Sequence, residues 1–188
     1  MNLAEQLIHY QPYNEQEMRD RDIIVDFLKN HDDAFLRTNP IAHVTASGWV
    51  INRDGTKVLM AYHRIYDSWS WTGGHADGDT ELLAVAIREA QEETGLKTVV
   101  PVMEALFSIE ILTVNGHEKK GVYVPSHLHL NVTYLLCGDE TEPLSIKEDE
   151  NKGVAWFTPE EALQKCTEPW MVERVYSKLI EKCKQILK

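Results

Sequence analysis

The sequence predicts an α/β protein, and three stretches of the chain support this prediction. From Leu3 to about Leu36, apolar residues recur at helical spacing among charged ones. Between Ile41 and about Glu140, runs rich in β-branched and aromatic residues indicate strands, and one strong helix, Glu81 to Thr94, interrupts them. A last short strand, Gly153 to Phe157, and a terminal helix, Val172 to Leu187, complete the expected order.

The boundaries of these elements follow from turn and cap residues. Asn39-Pro40 ends the first helical stretch, because the residue before a proline is pushed out of the helical region. We therefore predict an N-terminal helical arm over residues 1–38 and one domain over residues 39–188. For the central helix, the sequence predicts Asp79 or Thr80 as N-cap and Gly95 as the C-terminal stop. The strands expected before and after it are Val44 to Ile51, Lys57 to His63, Val99 to Leu112 and Val122 to Cys137.

Composition limits the classes of partner. Of 188 residues, 43% are hydrophobic and 26% charged, as in soluble globular proteins, and no apolar run is long enough to span a bilayer. The formal charge of -11 would repel a polyphosphate backbone, which excludes long nucleic acids but not a small phosphorylated ligand bridged by a divalent cation. Cys137, Cys166 and Cys183 are widely spaced and odd in number, which favours reduced thiols in the cytoplasm.

A glycine-rich loop, residues 71–81, leads into the central helix, and this helix carries the informative charges. Glu89, Glu92 and Glu93 stand at positions i, i+3 and i+4, so they share one side of the helix. Like charges at this spacing destabilise a helix, and its C-terminal turn favours cations. A solvated acidic face is the ordinary interpretation of such a run. A bound divalent cation with oxygen ligands, Mg²⁺ above all, is the functional one.

This segment resembles the Nudix box, whose pattern is G-x5-E-x7-R-E-U-x-E-E-x-G-U, with U an aliphatic residue. The pattern runs from Gly74 to Leu96 and departs at Thr80, which replaces the first glutamate and is flanked by Asp79 and Glu81. The resemblance covers roughly Ile41 to Leu163 and leaves the arm without a counterpart. The positions that match are Gly74, Arg88, Glu89, Ala90, Glu92, Glu93, Gly95 and Leu96.

The resemblance to Nudix hydrolases implies a fold, a reaction and a set of roles. It implies an α/β/α sandwich around a mixed β-sheet and Mg²⁺- or Mn²⁺-dependent hydrolysis of a nucleoside diphosphate linked to another group. By this correspondence Glu92, Glu93 and Gly74 would hold the metal, Glu89 would be a ligand or the base that activates water, and Arg88 would orient the glutamates. Chemically, such ions neutralise the diphosphate and lower the pKa of the attacking water.

A second group of polar residues lies on one predicted strand. Alternation places His127, His129, Asn131 and Thr133 on one face and apolar residues on the other. If helices cover both sides of the sheet, we expect this face to line a substrate cleft, with His127 and His129 near phosphate or metal and Asn131 on the ligand. His75 would form part of the wall of the same cleft. An ordinary solvated sheet face is the open alternative.

Three functions remain on this evidence. The first is a Mg²⁺-dependent Nudix hydrolase of the cytoplasm that acts on a small diphosphate compound, with the arm packing on the domain or on a second subunit of a homodimer. A catalytically weak nucleotide-binding sensor is the alternative that Thr80 keeps open. A diphosphate isomerase is the third; that branch of the superfamily uses an early catalytic cysteine, and none lies between Met1 and Leu136.

Overall fold

A mixed eight-stranded β-sheet forms the centre of the molecule. The computed structural model describes residues 1–119 and 121–187. The ten strands in the described residues are β1 (Ala42–Ile51), β2 (Val58–His63), β3 (Ser68–Ser70), β4 (Thr72–His75), β5 (Val99–Pro101), β6 (Ser108–Val114), β7 (His117–Lys119), β8 (Val122–Val124), β9 (His127–Gly138) and β10 (Asn151–Phe157).

The long strand β1 organises this sheet. It pairs in parallel with β9 and antiparallel with β2 and β4. The main strand order is β10-β2-β1-β9-β5, with β3 added to β2, β4 added to β1 and β6 added to β9, while β7 and β8 form a separate ribbon. All ten residues of β1 are buried, because the sheet is covered on both faces.

Helices cover the two faces of the sheet. They are α1 (Leu3–His9), α2 (Glu15–Asn30), α3 (Leu82–Thr94), α4 (Pro159–Lys165) and α5 (Ser177–Ile186), and a π-helical segment, Met171–Tyr176, leads into α5. No helix in the described ranges is both long and apolar enough to cross a membrane.

The alternation of side chains along each strand produces two apolar cores. One core places Val85 and Ala90 of α3 against Val44 and Val132 of the sheet. The other core places Leu179 of α5 and neighbouring C-terminal residues against the opposite face. The predicted α/β/α sandwich around a mixed sheet is therefore confirmed.

The N-terminal arm contains two helices and packs on the domain. Pro12 lies in the break between α1 and α2, where its fixed φ and missing N–H disfavour a continuous helix. Leu7 and Ile24 are fully buried in the same core as α3. The arm thus extends the domain's core and adds no separate one within the described residues.

Two details of α3 differ from the prediction, and one agrees. The helix begins at Leu82 with Glu81 as N-cap, so the predicted caps, Asp79 and Thr80, are wrong. Asp79 instead accepts a hydrogen bond from the backbone N–H of Glu81 at 2.9 Å, a side-chain turn that precedes the helix. At the other end Gly95 is the predicted stop, with φ of 77°.

Prolines divide two predicted strands. The run expected from Val99 to Leu112 is split after Pro101 into β5 and β6, and the run from Val122 to Cys137 is split at Pro125 into β8 and β9. Proline cannot donate a ladder hydrogen bond, so it favours the end of a strand nearby.

Candidate active site

Three carboxylates meet where the C-terminal half of α3 faces the segment before β10. Glu89 and Glu93 are one helical turn apart, and Glu150 approaches them from this segment. One carboxylate oxygen from each residue lies within 4.8 Å of the others. We call Glu89, Glu93 and Glu150 the acidic trio.

Two glycines of β4 lie next to the carboxylates of α3. The backbone N–H of Gly73 donates to Oε1 of Glu93 at 2.8 Å and so fixes this carboxylate. A Cβ at Gly74 would lie 2.5 Å from Cδ of Glu89, so a side chain there would occupy the space of the carboxylate. The glycine-rich loop seen in the sequence therefore brings backbone close to the acidic trio.

Electrostatics in the acidic trio favour a bound cation. Burial, with smaller contributions from the charges of Glu89 and Glu150, raises the pKa of Glu93 to about 8, although the Gly73 N–H opposes this. Burial also raises the pKa of Glu89 above its ordinary value. Neighbouring carboxylates that are costly to ionise gain stability from a positive partner, and three hard oxygen donors fit Mg²⁺ or Mn²⁺.

Glu92, the third glutamate of the predicted metal set, has a different environment. Its Oε2 lies 3.0 Å from Nζ of Lys147, and the same ammonium group lies 3.1 Å from Glu150. Partial burial lowers the pKa of Lys147, but these two carboxylates outweigh that effect and raise it. Lys147 thus supplies a positive charge between Glu92 and the acidic trio.

Sequence reasoning did not single out Glu150. A signal was present, because Glu148, Asp149 and Glu150 form an acidic run directly before β10. Only the fold shows which of the three meets α3, since their spacing along the chain fits no helix or strand.

Arg88 points toward the start of α3. Its guanidinium Nη1 lies 3.6 Å from Oδ2 of Asp79, and both side chains are partly exposed. Asp79 therefore provides a carboxylate to Arg88 one position before Thr80, where the family pattern has glutamate. The predicted role of Arg88 in orienting the glutamates stays a prediction.

The polar face of β9 lies on the side of the sheet away from α3. His127 and His129 are half-buried, their Nε2 atoms are 3.3 Å apart, and His75 packs against His129. Burial and the neighbouring histidines lower the pKa of His129 to about 2. Substrate binding by His75, His127 and His129 stays a prediction.

Asn131 is placed differently from these histidines. It is 1% exposed. Its Oδ1 accepts from two hydroxyl groups of β1, and its Nδ2 donates to Glu110 and Thr133. Both acceptor and both donor positions of the amide are thus used inside the protein. The predicted contact of Asn131 with a substrate stays a prediction.

Solved structures share this fold at low sequence identity. A hydrolase of the NUDIX family from Clostridium perfringens is 21% identical and matches with a TM-score of 0.50 over 77% of this chain and 97% of its own. The Ap4A hydrolase of C. elegans is 18% identical and matches with a TM-score of 0.51 over 77% of this chain and 98% of its own. These matches support the architecture.

Curated relatives and a domain profile match the sequence itself. The "Nucleoside diphosphate-linked moiety X motif 6" protein of Xenopus laevis is 31% identical over 54% of this chain and 42% of its own length. The "Uncharacterized Nudix hydrolase YfcD" of Shigella flexneri is 33% identical over 51% of this chain and 45% of its own length, so the chain matches less than half of either relative. The profile of the NUDIX domain matches residues 42–179, most of the chain. The chain therefore belongs to the NUDIX domain family.

Proposed function

We propose that the protein is a Mg²⁺-dependent hydrolase that cleaves the diphosphate linkage of a small nucleoside diphosphate derivative or related compound. The observation that carries the proposal is the acidic trio, three carboxylates with ligand oxygens within 4.8 Å beside a glycine-lined strand. Membership of the NUDIX domain family supports the reaction class. The net charge of -11 favours a small ligand over a long polyanion.

Each part of the site has a role in this proposal. Glu89, Glu93 and Glu150 hold the cation, which when bound neutralises the diphosphate and lowers the pKa of water. The Gly73 N–H holds the Glu93 carboxylate in position. Glu89 and Glu150 border the same space, so either can take the proton of the attacking water. Lys147 keeps Glu92 and Glu150 together.

The sensor alternative depends on the charge that Thr80 does not supply. The Asp79 carboxylate lies 3.6 Å from Arg88 and supplies a negative charge beside that position, which favours the hydrolase over the sensor. We also propose that the enzyme works in the cytoplasm, where Cys137, Cys166 and Cys183 would stay free thiols as they are in the structure. The domain that carries the activity is proposed to span residues 39–188, with the arm packed on it.

A substrate screen tests the proposed function. Purified protein is incubated with Mg²⁺ and a panel of sugar nucleotides, dinucleotides, nucleoside triphosphates and non-nucleotide diphosphates, and phosphate and nucleoside monophosphate are measured. We expect turnover of at least one compound. Glu93→Gln should lower kcat by about 100-fold or more, because it removes a charged oxygen ligand.

The control for this screen is Glu104→Gln, the same change at an exposed residue. Glu93→Gln should also unfold at a higher temperature than the wild type without metal, because a buried carboxylate is replaced by a neutral amide. Undiminished turnover in Glu93→Gln at saturating substrate and Mg²⁺ would contradict the proposal.

A further inference from the structure

Four histidines from three strands meet on the face of the sheet opposite α3. The parallel register of β1 and β9 places His43 beside His129, and β4 brings His75 to the same face. Ring centroids are 5.1 Å apart for His43–His75 and His43–His129 and 4.9 Å for His75–His129. His127 stacks on His43 at 4.9 Å. Side chains alternate along β4, so this group and the acidic trio lie on opposite sides of that strand.

Three of these residues have the arrangement of metal ligands. One ring nitrogen each from His43, His75 and His129 lies within 4.8 Å of the others. We call these residues the histidine trio. His43 is buried, whereas His75 and His129 are partly exposed, so an ion could enter from the side of the latter two.

His43 gives the strongest indication of a ligand. It is 4% exposed, and its Nδ1 lies 3.4 Å from the backbone oxygen of Asn39. A carbonyl oxygen only accepts hydrogen bonds, so this contact places the proton on Nδ1 and leaves the lone pair on Nε2. Nε2 is buried and has no hydrogen-bond partner among residues 1–119 and 121–187. Metal-bound histidines are held in this way, with the second nitrogen donating to a carbonyl.

The crowding of the rings favours a cation over an anion. Protonating several imidazoles about 5 Å apart in a half-buried group would place like charges together, which disfavours the charged forms. Neutral imidazoles offer lone pairs, and lone pairs bind cations. Imidazole nitrogen suits zinc, copper and nickel, whereas Mg²⁺ prefers the oxygen donors of the acidic trio.

We propose that the histidine trio is a second metal site, distinct from the acidic trio, that binds a divalent ion of the zinc class through His43, His75 and His129. Three nitrogens around Zn²⁺ lie about 3.3 Å apart, and those of the histidine trio lie within 4.8 Å of one another, so the partly exposed side chains of His75 and His129 must close by up to about 1.5 Å. His127 lies beside the site, with its Nε2 3.3 Å from that of His129. In this proposal the histidine rings bind a metal ion and do not contact the substrate directly. It does not depend on the proposed hydrolase activity.

Zinc titration tests this site without any substrate. Metal-free protein is titrated with Zn²⁺ by calorimetry in saturating Mg²⁺, which competes for the acidic trio, and the melting temperature is followed in parallel. We expect one tightly bound Zn²⁺ per chain in the wild type and in Glu93→Gln, and a rise in melting temperature. His75→Ala and His129→Ala should each weaken binding at least about 10-fold. The control is His9→Ala, an exposed histidine of α1.

Other outcomes overturn the proposal. Binding that is lost in Glu93→Gln but kept in the histidine variants would assign the zinc to the carboxylates. Absence of tight zinc binding by the wild type would contradict the site even if a histidine variant fails to fold. No zinc binding, together with a raised KM for the substrate in His129→Ala, would instead make these histidines substrate contacts.

Discussion

At the level of single residues, the chain departs from its family at Thr80, and Asp79 lies directly before that position. Its carboxylate lies 3.6 Å from the Arg88 guanidinium, and Thr80 beside it supplies no charge. Because a partly exposed ion pair is weak, we expect an active enzyme whose affinity for Mg²⁺ is reduced.

A magnesium titration of activity tests this expectation. Thr80→Glu should lower the Mg²⁺ concentration for half-maximal rate, because a second carboxylate joins Asp79 near Arg88. Asp79→Asn should raise that concentration, and Asp54→Asn, an exposed change in the β1–β2 turn, should leave it unchanged. No turnover by the wild type, with activity appearing in Thr80→Glu, would favour the sensor.

The carboxylates of the site were predictable from the sequence only where they lie on one helix. Helical spacing predicted that Glu89 and Glu93 share a side of α3, and the structure places both in the acidic trio. The same spacing grouped Glu92 with them, but its side chain pairs with Lys147, which is 55 positions away. Glu150 was missed for the same reason. Contacts between distant segments depend on the fold, which local spacing does not encode.

At the level of elements, two glycines allow β4 to lie close to its neighbours, Gly73 against β1 and Gly74 against α3. A Cβ at Gly73 would lie 2.8 Å from the backbone oxygen of Ala46 and 2.9 Å from Cα of Ser47. A Cβ at Gly74 would meet only the flexible end of Glu89 among its nearest contacts. The backbone atoms beside Gly73 cannot move aside as easily as the end of the Glu89 side chain can.

The two alanine variants should therefore differ. Gly73→Ala should lower the free energy of unfolding by about 1–3 kcal/mol, as overpacking does. Gly74→Ala should change it less but reduce kcat, because Glu89 is displaced. Urea unfolding and steady-state kinetics measure the two effects. Equal losses of stability with unchanged kcat in Gly74→Ala would show that this contact does not position Glu89.

The observed strands differ from the predicted ones at prolines and turns. Alternating β-branched residues suggested one strand from Val122 to Cys137, but Pro125 interrupts the pairing. The dipeptide Asn115-Gly116 is typical of a tight turn between two paired strands, yet β6, which precedes it, pairs with β9, and β7, which follows it, pairs with β8. Turn residues identify a change of direction, whereas the partner of each strand is decided by the whole sheet.

On the scale of the whole molecule, a buried ion network connects the arm to the C-terminal helix. Glu17 of α2 is fully buried, 3.1 Å from Nζ of Lys178 and 3.0 Å from Nζ of Lys182. Lys178 also lies 2.9 Å from Glu110 of β6. The first and last parts of the chain are thus held on one sheet.

The stability of the protein in acid should report on this network. Burial alone would raise the pKa of Glu17, but Lys178 and Lys182 lower it to about 2. Because its pKa is lower in the folded protein than the ordinary value of 4.5, Glu17 stabilises the fold at pH values above 4.5. This contribution to the free energy of unfolding, about 3 kcal/mol, is lost as the pH falls toward 2. Urea unfolding between pH 6 and pH 3 should show that the free energy of unfolding falls more steeply with pH in the wild type than in Glu17→Gln. The exposed Glu15→Gln should behave as the wild type does. The same pH dependence in all three proteins would mean that the pKa of Glu17 is the same in the folded and unfolded states, which would contradict the prediction.

In the proposed enzyme, α3 and the segment before β10 form one metal site for diphosphate hydrolysis, and Glu150 is the residue that only the fold places there. Glu150→Gln and Glu148→Gln make the same change two residues apart, at a member of the acidic trio and at an exposed neighbour. The measurement is kcat on the substrate found in the screen, at saturating Mg²⁺. We predict a loss of about 100-fold or more for Glu150→Gln and no change for Glu148→Gln. Equal activity of the two variants would contradict a metal site formed by α3 and Glu150.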